Sequence, residues 1–147
     1  NLQISLDTYR EFIKPYHKRV FNFIKDRAPS RVFIFYHSDG AIREAIPDLI
    51  DAGIDALNPV QVSASGMDPE SLIEEFGGDL AFWGAGANPH GTLLNGDIND
   101  VAREIRSRID LFGQNGGWVF APIHNIQPDV EPGKIKAMID TLDSYGI

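Results

Sequence analysis

The stretch Val32-Phe33-Ile34-Phe35-Tyr36, followed by His37-Ser38-Asp39-Gly40, decides the fold class of this 147-residue chain. Five consecutive apolar, β-favouring residues without polar alternation are typical of a strand that is buried on both faces in a parallel sheet. A helix is predicted before this strand, over residues 6 to 27, because apolar residues recur there at helical spacing. Pro15 predicts a bend near the middle of that helix.

The alternation of strand and helix continues to the end of the chain. Further strands are predicted over residues 54–59, 80–83 and 118–122. Helices are predicted over residues 42–50 with Gly53 as the C-cap, over 69–76 with Asp68 as the N-cap, from Asn99 or Asp100 to Phe112, and after residues 131–133. The order is therefore one helix and then four strand–helix units.

Four such units fit either an open doubly wound sheet or half of a closed barrel. No glycine-rich phosphate loop follows any strand, and Gly84-Ala85-Gly86 is only a fragment of one. We therefore expect an α/β fold, half of a (β/α)8 TIM barrel, with four parallel strands, outer helices and one preceding helix. Residues 1–147 would form a single partial domain. Since a full barrel needs about 250 residues, we expect a second half, from a missing N-terminal segment or by self-association.

Composition excludes several functional classes. The net charge of −8 argues against nucleic-acid binding, and the absence of cysteine excludes disulfides and thiolate ligands from this chain. No apolar stretch is long enough to span a membrane and no secretion signal precedes the first helix, so we expect a cytoplasmic protein. Residues 1–36 carry seven basic and three acidic side chains. They form either a solvated helix face or an anion-binding surface.

Polar side chains follow each predicted strand, where functional residues of parallel α/β folds collect. We expect five of them to line a substrate pocket: His37, Asn58, Gln61, Asn88 and His124. Two imidazoles and a carboxylate, from His37, Asp39 and His124, are also an ordinary ligand set for zinc or iron. The alternatives are that the imidazoles only hydrogen-bond neighbouring loops while Asp39 caps a helix, or that all three contact an organic substrate directly.

At these strand ends the sequence resembles the uroporphyrinogen decarboxylase superfamily, which includes cobalamin-dependent methyltransferases as well as the haem-pathway decarboxylase. The order and spacing of five segments carry the resemblance, which covers essentially the whole chain and the C-terminal half of the family's barrel. They are Tyr9-Arg10-Glu11-Phe12-Ile13-Lys14-Pro15-Tyr16, His37-Ser38-Asp39-Gly40, Gly53-Ile54-Asp55-Ala56-Leu57-Asn58-Pro59-Val60-Gln61, Gly84-Ala85-Gly86-Ala87-Asn88-Pro89 and His124-Asn125-Ile126-Gln127-Pro128-Asp129.

The resemblance implies where ligands would lie. The zinc ligands of the family's methyltransferases fall on His37, Asp39 and His124, so both of the family's thiolates are replaced here. The last loop of the decarboxylases matches His124 with Pro128-Asp129. The arginines and the aspartate on which those decarboxylases depend lie in the N-terminal half of the barrel, so no catalytic residue is assigned in this chain.

Three functions remain open at this point. The first is metal-assisted methyl transfer, with zinc at the mouth of the barrel and the corrinoid carried by a partner protein, because the sequence contains no corrinoid-binding domain. The second is decarboxylation of a polycarboxylate tetrapyrrole, for which only Arg43 lies close to a strand end. The third is a non-catalytic half-barrel that serves as a binding or assembly module.

Overall fold

The computed structural model describes residues 2–114 and 116–146 and has four parallel strands with helices on one face. The strands are β1 (Phe35–His37), β2 (Ala56–Asn58), β3 (Ala81–Trp83) and β4 (Trp118–Val119). The helices are α1 (Leu6–Phe12), α2 (Lys14–Arg27), α3 (Ile46–Ala52), α4 (Pro69–Phe76), α5 (Thr92–Asn95), α6 (Ile98–Phe112) and α7 (Pro132–Ser144), with a single 3-10 turn at Arg43–Ala45. Among the described residues no helix is long and apolar enough to cross a membrane.

The strands lie in the order β1-β2-β3-β4, and every neighbouring pair is parallel. Sequential parallel order with helical crossovers is the arrangement of half a (β/α)8 barrel, so the predicted fold class is confirmed. The register places His37 opposite Asn58 and Trp83 opposite Val119. Equivalent positions of neighbouring strands therefore lie side by side at the carboxyl edge of the sheet.

The strands are shorter than the apolar runs that predict them. β1 begins at Phe35 rather than Val32 and includes His37, which we expected just past the strand. The segment Gly84-Ala85-Gly86 after β3 continues the pairing with β4, because Gly84 N donates a hydrogen bond to Val119 O. It does not form a separate ligand-binding loop. A Cβ at Gly84, whose φ is +125°, would lie 1.9 Å from the carbonyl oxygen of Pro59. Glycine is therefore required at that close approach.

The N-terminal helix is interrupted near the predicted bend. α1 ends and α2 begins around Ile13, whose φ of −120° is not helical, and Pro15 occupies the first turn of α2. Proline has no N–H to donate to the preceding turn, so the chain restarts a helix there.

Aspartates cap two of the later helices, α4 and α6. Asp68 caps α4 by accepting a hydrogen bond from Ser71 N, as predicted. The predicted start of α6 at Asn99 or Asp100 is wrong, because Asp97 is the N-cap and Asp100 closes a capping box with it. The short helix α5 was not predicted.

Only one face of the sheet is buried, as expected for half of a barrel whose inner face has no partner within this chain. Leu57 and Phe82 point toward the helices and are almost fully buried in the larger core cluster. On the other face, Phe33, Phe35 and Trp83 are 62%, 47% and 40% exposed. This second face is the one that lines the interior of a closed barrel, so half a barrel leaves it open.

Basic residues near the N-terminus bind the first two helices to α3. Asp48 accepts hydrogen bonds from Arg10 Nε at 2.9 Å and Lys14 Nζ at 2.7 Å, and Asp51 pairs with Lys14 and Lys18. Three of the seven basic side chains of residues 1–36 therefore form a ladder of ion pairs within the chain.

Candidate functional site at the carboxyl ends of the strands

His37 and Asn58 occupy neighbouring positions at the ends of β1 and β2, because the register pairs them directly. Asn58 Oδ1 lies 2.6 Å from His37 Nδ1, and Asn58 Nδ2 donates to the carbonyl oxygen of Trp83 at 2.9 Å. Both polar groups of the Asn58 side chain are thus engaged within the protein. The amide links three adjacent strands at their carboxyl ends.

Asp39 lies between two imidazoles. Its Oδ2 is 3.3 Å from His37 Nε2, and its Oδ1 is 3.6 Å from His124 Nδ1. His124 follows β4, which is the opposite edge of the sheet from β1. The curvature of the sheet and the loops beyond β1 and β4 therefore bring together the three side chains that the sequence predicts to converge.

These residues border a cavity of about 610 Å³ that opens to solvent. Its wall is formed by His37, Asp39 and Asn58 together with residues 121–127. Asp39 is the one carboxylate among the lining residues, and no lysine or arginine of the described chain lines it. The His37 and Asp39 side chains are 58% and 54% exposed, and that of His124 is 28% exposed. A small ligand can therefore reach all three.

The other two predicted pocket residues have different local roles. Gln61 Oε1 accepts a hydrogen bond from Gly40 N at 2.8 Å and so anchors the loop that carries Asp39. Asn88 Oδ1 accepts from His90 N at 3.1 Å, which is an Asx turn in the loop after β3. Neither side chain lines the cavity at His37, Asp39 and His124.

A second cavity, of about 680 Å³, lies on the other side of the Asp39 loop. Asp39 and Gln61 form its polar end, and Tyr9, His17 and Tyr36 contribute aromatic walls. Tyr9 Oη lies 3.1 Å from His17 Nδ1. Burial lowers the pKa of His17 and is the main reason that the pKa of Tyr9 is raised to about 12. Both rings are therefore uncharged at neutral pH.

His90, which we did not assign to the pocket, contacts His124 but does not line the cavity. Its ring centroid lies 5.6 Å from that of His124, with the ring planes tilted by 49°. The sequence could have indicated this position, because His90 follows a strand end in the same way as His37 and His124.

The donor types at this site suit a divalent transition metal. Two imidazoles and a carboxylate are a common protein ligand set for zinc. Within residues 2–114 and 116–146, no group of three or more histidine, aspartate or glutamate side chains is placed so that it could hold a metal ion. Asp39 contacts each of the two imidazoles, but no contact joins the imidazoles to each other. Metal binding would require these three side chains to rearrange.

Comparisons with known proteins are consistent in family and fold. A family model described as uroporphyrinogen decarboxylase (URO-D) matches residues 1–145. The uroporphyrinogen decarboxylases of Chlorobium limicola and Chloroherpeton thalassium are each 29% identical to the chain over 140 residues, covering 93% of it and 37% of those proteins. The chain therefore spans a little over a third of the length of these curated relatives.

A solved structure has the same fold. A methyltransferase from Methanosarcina mazei superposes with a TM-score of 0.73 at 19% sequence identity, covering 98% of this chain and 39% of that one. At this identity the similarity establishes the fold alone.

Proposed function

The chain belongs to the uroporphyrinogen decarboxylase (URO-D) family, and on this premise we propose that it supplies the metal-binding and substrate-binding residues of a larger methyl-transferring enzyme. The methyl group would move to or from a corrinoid carried by a partner protein. One observation carries the proposal: Asp39 lies within 3.3 Å of His37 and 3.6 Å of His124, beside an open cavity.

The chemistry of this donor set favours a metal. His37, Asp39 and His124 would hold zinc, and the bound metal would supply Lewis acidity toward a substrate oxygen, sulfur or nitrogen. Asp39 contributes the negative charge that offsets part of the metal's charge. Ligands must be deprotonated to bind, so the imidazoles must be neutral and uptake should decrease in acid.

A uroporphyrinogen-type decarboxylase is the second candidate, because the curated relatives carry that name. A substrate with several carboxylates needs several cationic partners. Arg43 does not serve here, since its guanidinium donates to Ser71 Oγ and pairs with Glu75. Since no arginine or lysine of the described chain lines the cavity, a decarboxylase would need its arginines from outside these residues. The site on this chain therefore fits methyl transfer better.

We also propose that a second half-barrel covers the exposed face of the sheet. Phe35 and Trp83 pack edge to face there, with ring centroids 5.0 Å apart, and each is more than a third exposed. Burying apolar surface of this kind against a partner would stabilise the assembly by about 25 cal/mol for each Å² removed from water. The relatives are almost three times as long as the matched segment, which favours an N-terminal half in the same polypeptide over a second copy. If the 147 residues are prepared alone, we expect sedimentation velocity to show self-association, whereas a stable monomer would contradict the proposal.

Zinc titration of the intact protein tests the metal site. We expect one zinc per chain in the wild type and a loss of uptake in both His37→Ala and His124→Ala, with His17→Gln as the control because His17 lies outside the cavity. The purified protein would then be incubated with free cob(I)alamin and a panel of methyl ethers, thioethers and methylamines, and methylcobalamin formation followed by visible absorbance. Zinc uptake with methyl transfer supports the proposal. A wild type that takes up no zinc and transfers no methyl group would contradict it and favour a non-catalytic module.

A further inference from the structure

We infer that Asn58 is a positioning residue that holds the neutral ring of His37 with its proton on Nδ1 and its lone pair on Nε2, facing Asp39. The sequence suggested that Asn58 contacts the substrate. In the structure, its side-chain amide is hydrogen-bonded to His37 and to the Trp83 carbonyl oxygen. The use of this tautomer in metal binding rests on the proposed function, but the tautomer itself does not.

The orientation of the Asn58 amide follows from the sheet. A side-chain amide has one group that donates and one that accepts, and these are distinguished by their hydrogen-bond partners. The partner 2.9 Å from one end is the backbone carbonyl oxygen of Trp83, which can only accept. The NH2 group must therefore face Trp83, and the Oδ1 atom must face His37.

The tautomer of His37 follows from that orientation. Asn58 Oδ1 can only accept, and it lies 2.6 Å from His37 Nδ1. Nδ1 must therefore carry a hydrogen. A neutral imidazole has one N–H, so the other nitrogen, Nε2, has a lone pair.

The lone pair on Nε2 then faces an acceptor. Nε2 lies 3.3 Å from Asp39 Oδ2, and an ionised carboxylate has no hydrogen to donate. Two acceptors at this distance direct their lone pairs toward the same position. A neutral His37 beside Asp39 thus presents one imidazole nitrogen and one carboxylate oxygen to a single point, as two ligands of one metal ion would.

This arrangement has the form of an outer hydrogen bond that orients a metal ligand. Metal-binding histidines usually donate their second ring N–H to an oxygen, and losing that oxygen weakens metal affinity by about 10- to 100-fold. Asn58 supplies that oxygen for His37 from β2, which is a rigid neighbouring strand. No equivalent amide bond is present for His124 among the described residues.

Nitrogen NMR of the intact protein labelled with 15N-histidine tests the assignment. At about pH 8.5, well above the usual pKa of histidine, we expect zinc-free wild type to show His37 protonated at Nδ1 and unprotonated at Nε2. Asn58→Leu should lose this pattern, with the proton moving wholly or partly to Nε2. Asn58→Asp should retain it, because a carboxylate oxygen also accepts from Nδ1, even though the hydrogen bond to the Trp83 carbonyl oxygen is lost. Asn95→Leu is the matched control, since the Asn95 amide binds only backbone carbonyls away from the cavity.

Zinc affinity gives the second readout. We expect it to fall about 10- to 100-fold in Asn58→Leu and to recover in Asn58→Asp. A wild-type ring protonated at Nε2, or an unchanged tautomer in Asn58→Leu, would overturn the positioning role. The wild-type spectrum decides this even if Asn58→Leu does not fold. If the tautomer is as inferred but zinc does not bind, the positioning role stands and the metal part of the proposed function fails.

Discussion

Replacing Asp48 with asparagine should destabilise the fold by about 2 kcal/mol, because this carboxylate joins α1 and α2 to α3. Its side chain is 8% exposed and accepts from Arg10 Nε at 2.9 Å and Lys14 Nζ at 2.7 Å. Breaking a buried ion pair by removing one partner costs about 3 to 5 kcal/mol. Arg10 is half exposed and Lys14 keeps a second partner in Asp51. Water can therefore solvate Arg10, and Asp51 can still pair with Lys14, so the loss of stability should be about 2 kcal/mol and not 3 to 5 kcal/mol.

The pH dependence of the same variant has a defined sign. Burial disfavours the charged form of Asp48, but hydrogen bonds from Lys14 and Arg10 outweigh it and hold its pKa below the usual 3.8. A carboxyl group with a lowered pKa stabilises the fold fully above its unfolded pKa, and that stabilisation is lost as pH falls through the folded pKa. The difference between wild type and Asp48→Asn should therefore be constant near pH 7 and shrink below about pH 4.

Urea denaturation followed by circular dichroism measures both effects. Asp51→Asn is the matched control, because Asp51 also pairs with Lys14 but its side chain is 56% exposed. We expect a clearly smaller loss of stability in that control. If Asp48→Asn were no less stable than Asp51→Asn, the burial of the ion pair would not contribute as described.

Two further predictions concern the aromatic cavity and the strand ends. Because burial lowers the pKa of His17 below 6.5, its contribution to stability should be present above that pH and fall in more acidic solution. The difference in unfolding free energy between wild type and His17→Gln should therefore narrow from about pH 7.5 to pH 5, and a difference independent of pH would contradict this. Gly84→Ala should lower the thermal midpoint strongly, because a Cβ would lie 1.9 Å from a backbone oxygen. Gly78→Ala, with nothing within 4 Å of its Cβ, should change the midpoint little.

Local signals in the sequence predicted the elements and their order well. The cap at Asp68 and the helix end at Gly53 depend only on neighbouring residues, and both lie where predicted. The start of α6 was misplaced because Asp97, Asn99 and Asp100 lie within four residues and are all acceptable N-caps. Only the backbone conformation selects among them.

Tertiary geometry decided what the sequence could not. Half of a barrel predicts one apolar sheet face without a partner, but an apolar run such as residues 32–36 does not reveal which of its side chains lie on that face. The approach of His37, Asp39 and His124 could be predicted, because the carboxyl ends of parallel strands share one edge. The separate roles of Gln61 and Asn88 could not, since a side-chain amide binds whichever backbone group folding brings near it.

Anomalous diffraction at the zinc edge, from crystals of the intact protein equilibrated with zinc, tests the proposed site most directly. We predict one strong peak of anomalous density for a zinc ion that lies roughly 2.0 to 2.2 Å from His37 Nε2, a carboxylate oxygen of Asp39 and a ring nitrogen of His124. An empty position among these three side chains in zinc-equilibrated crystals, with their hydrogen bonds unchanged, would contradict the metal-binding role.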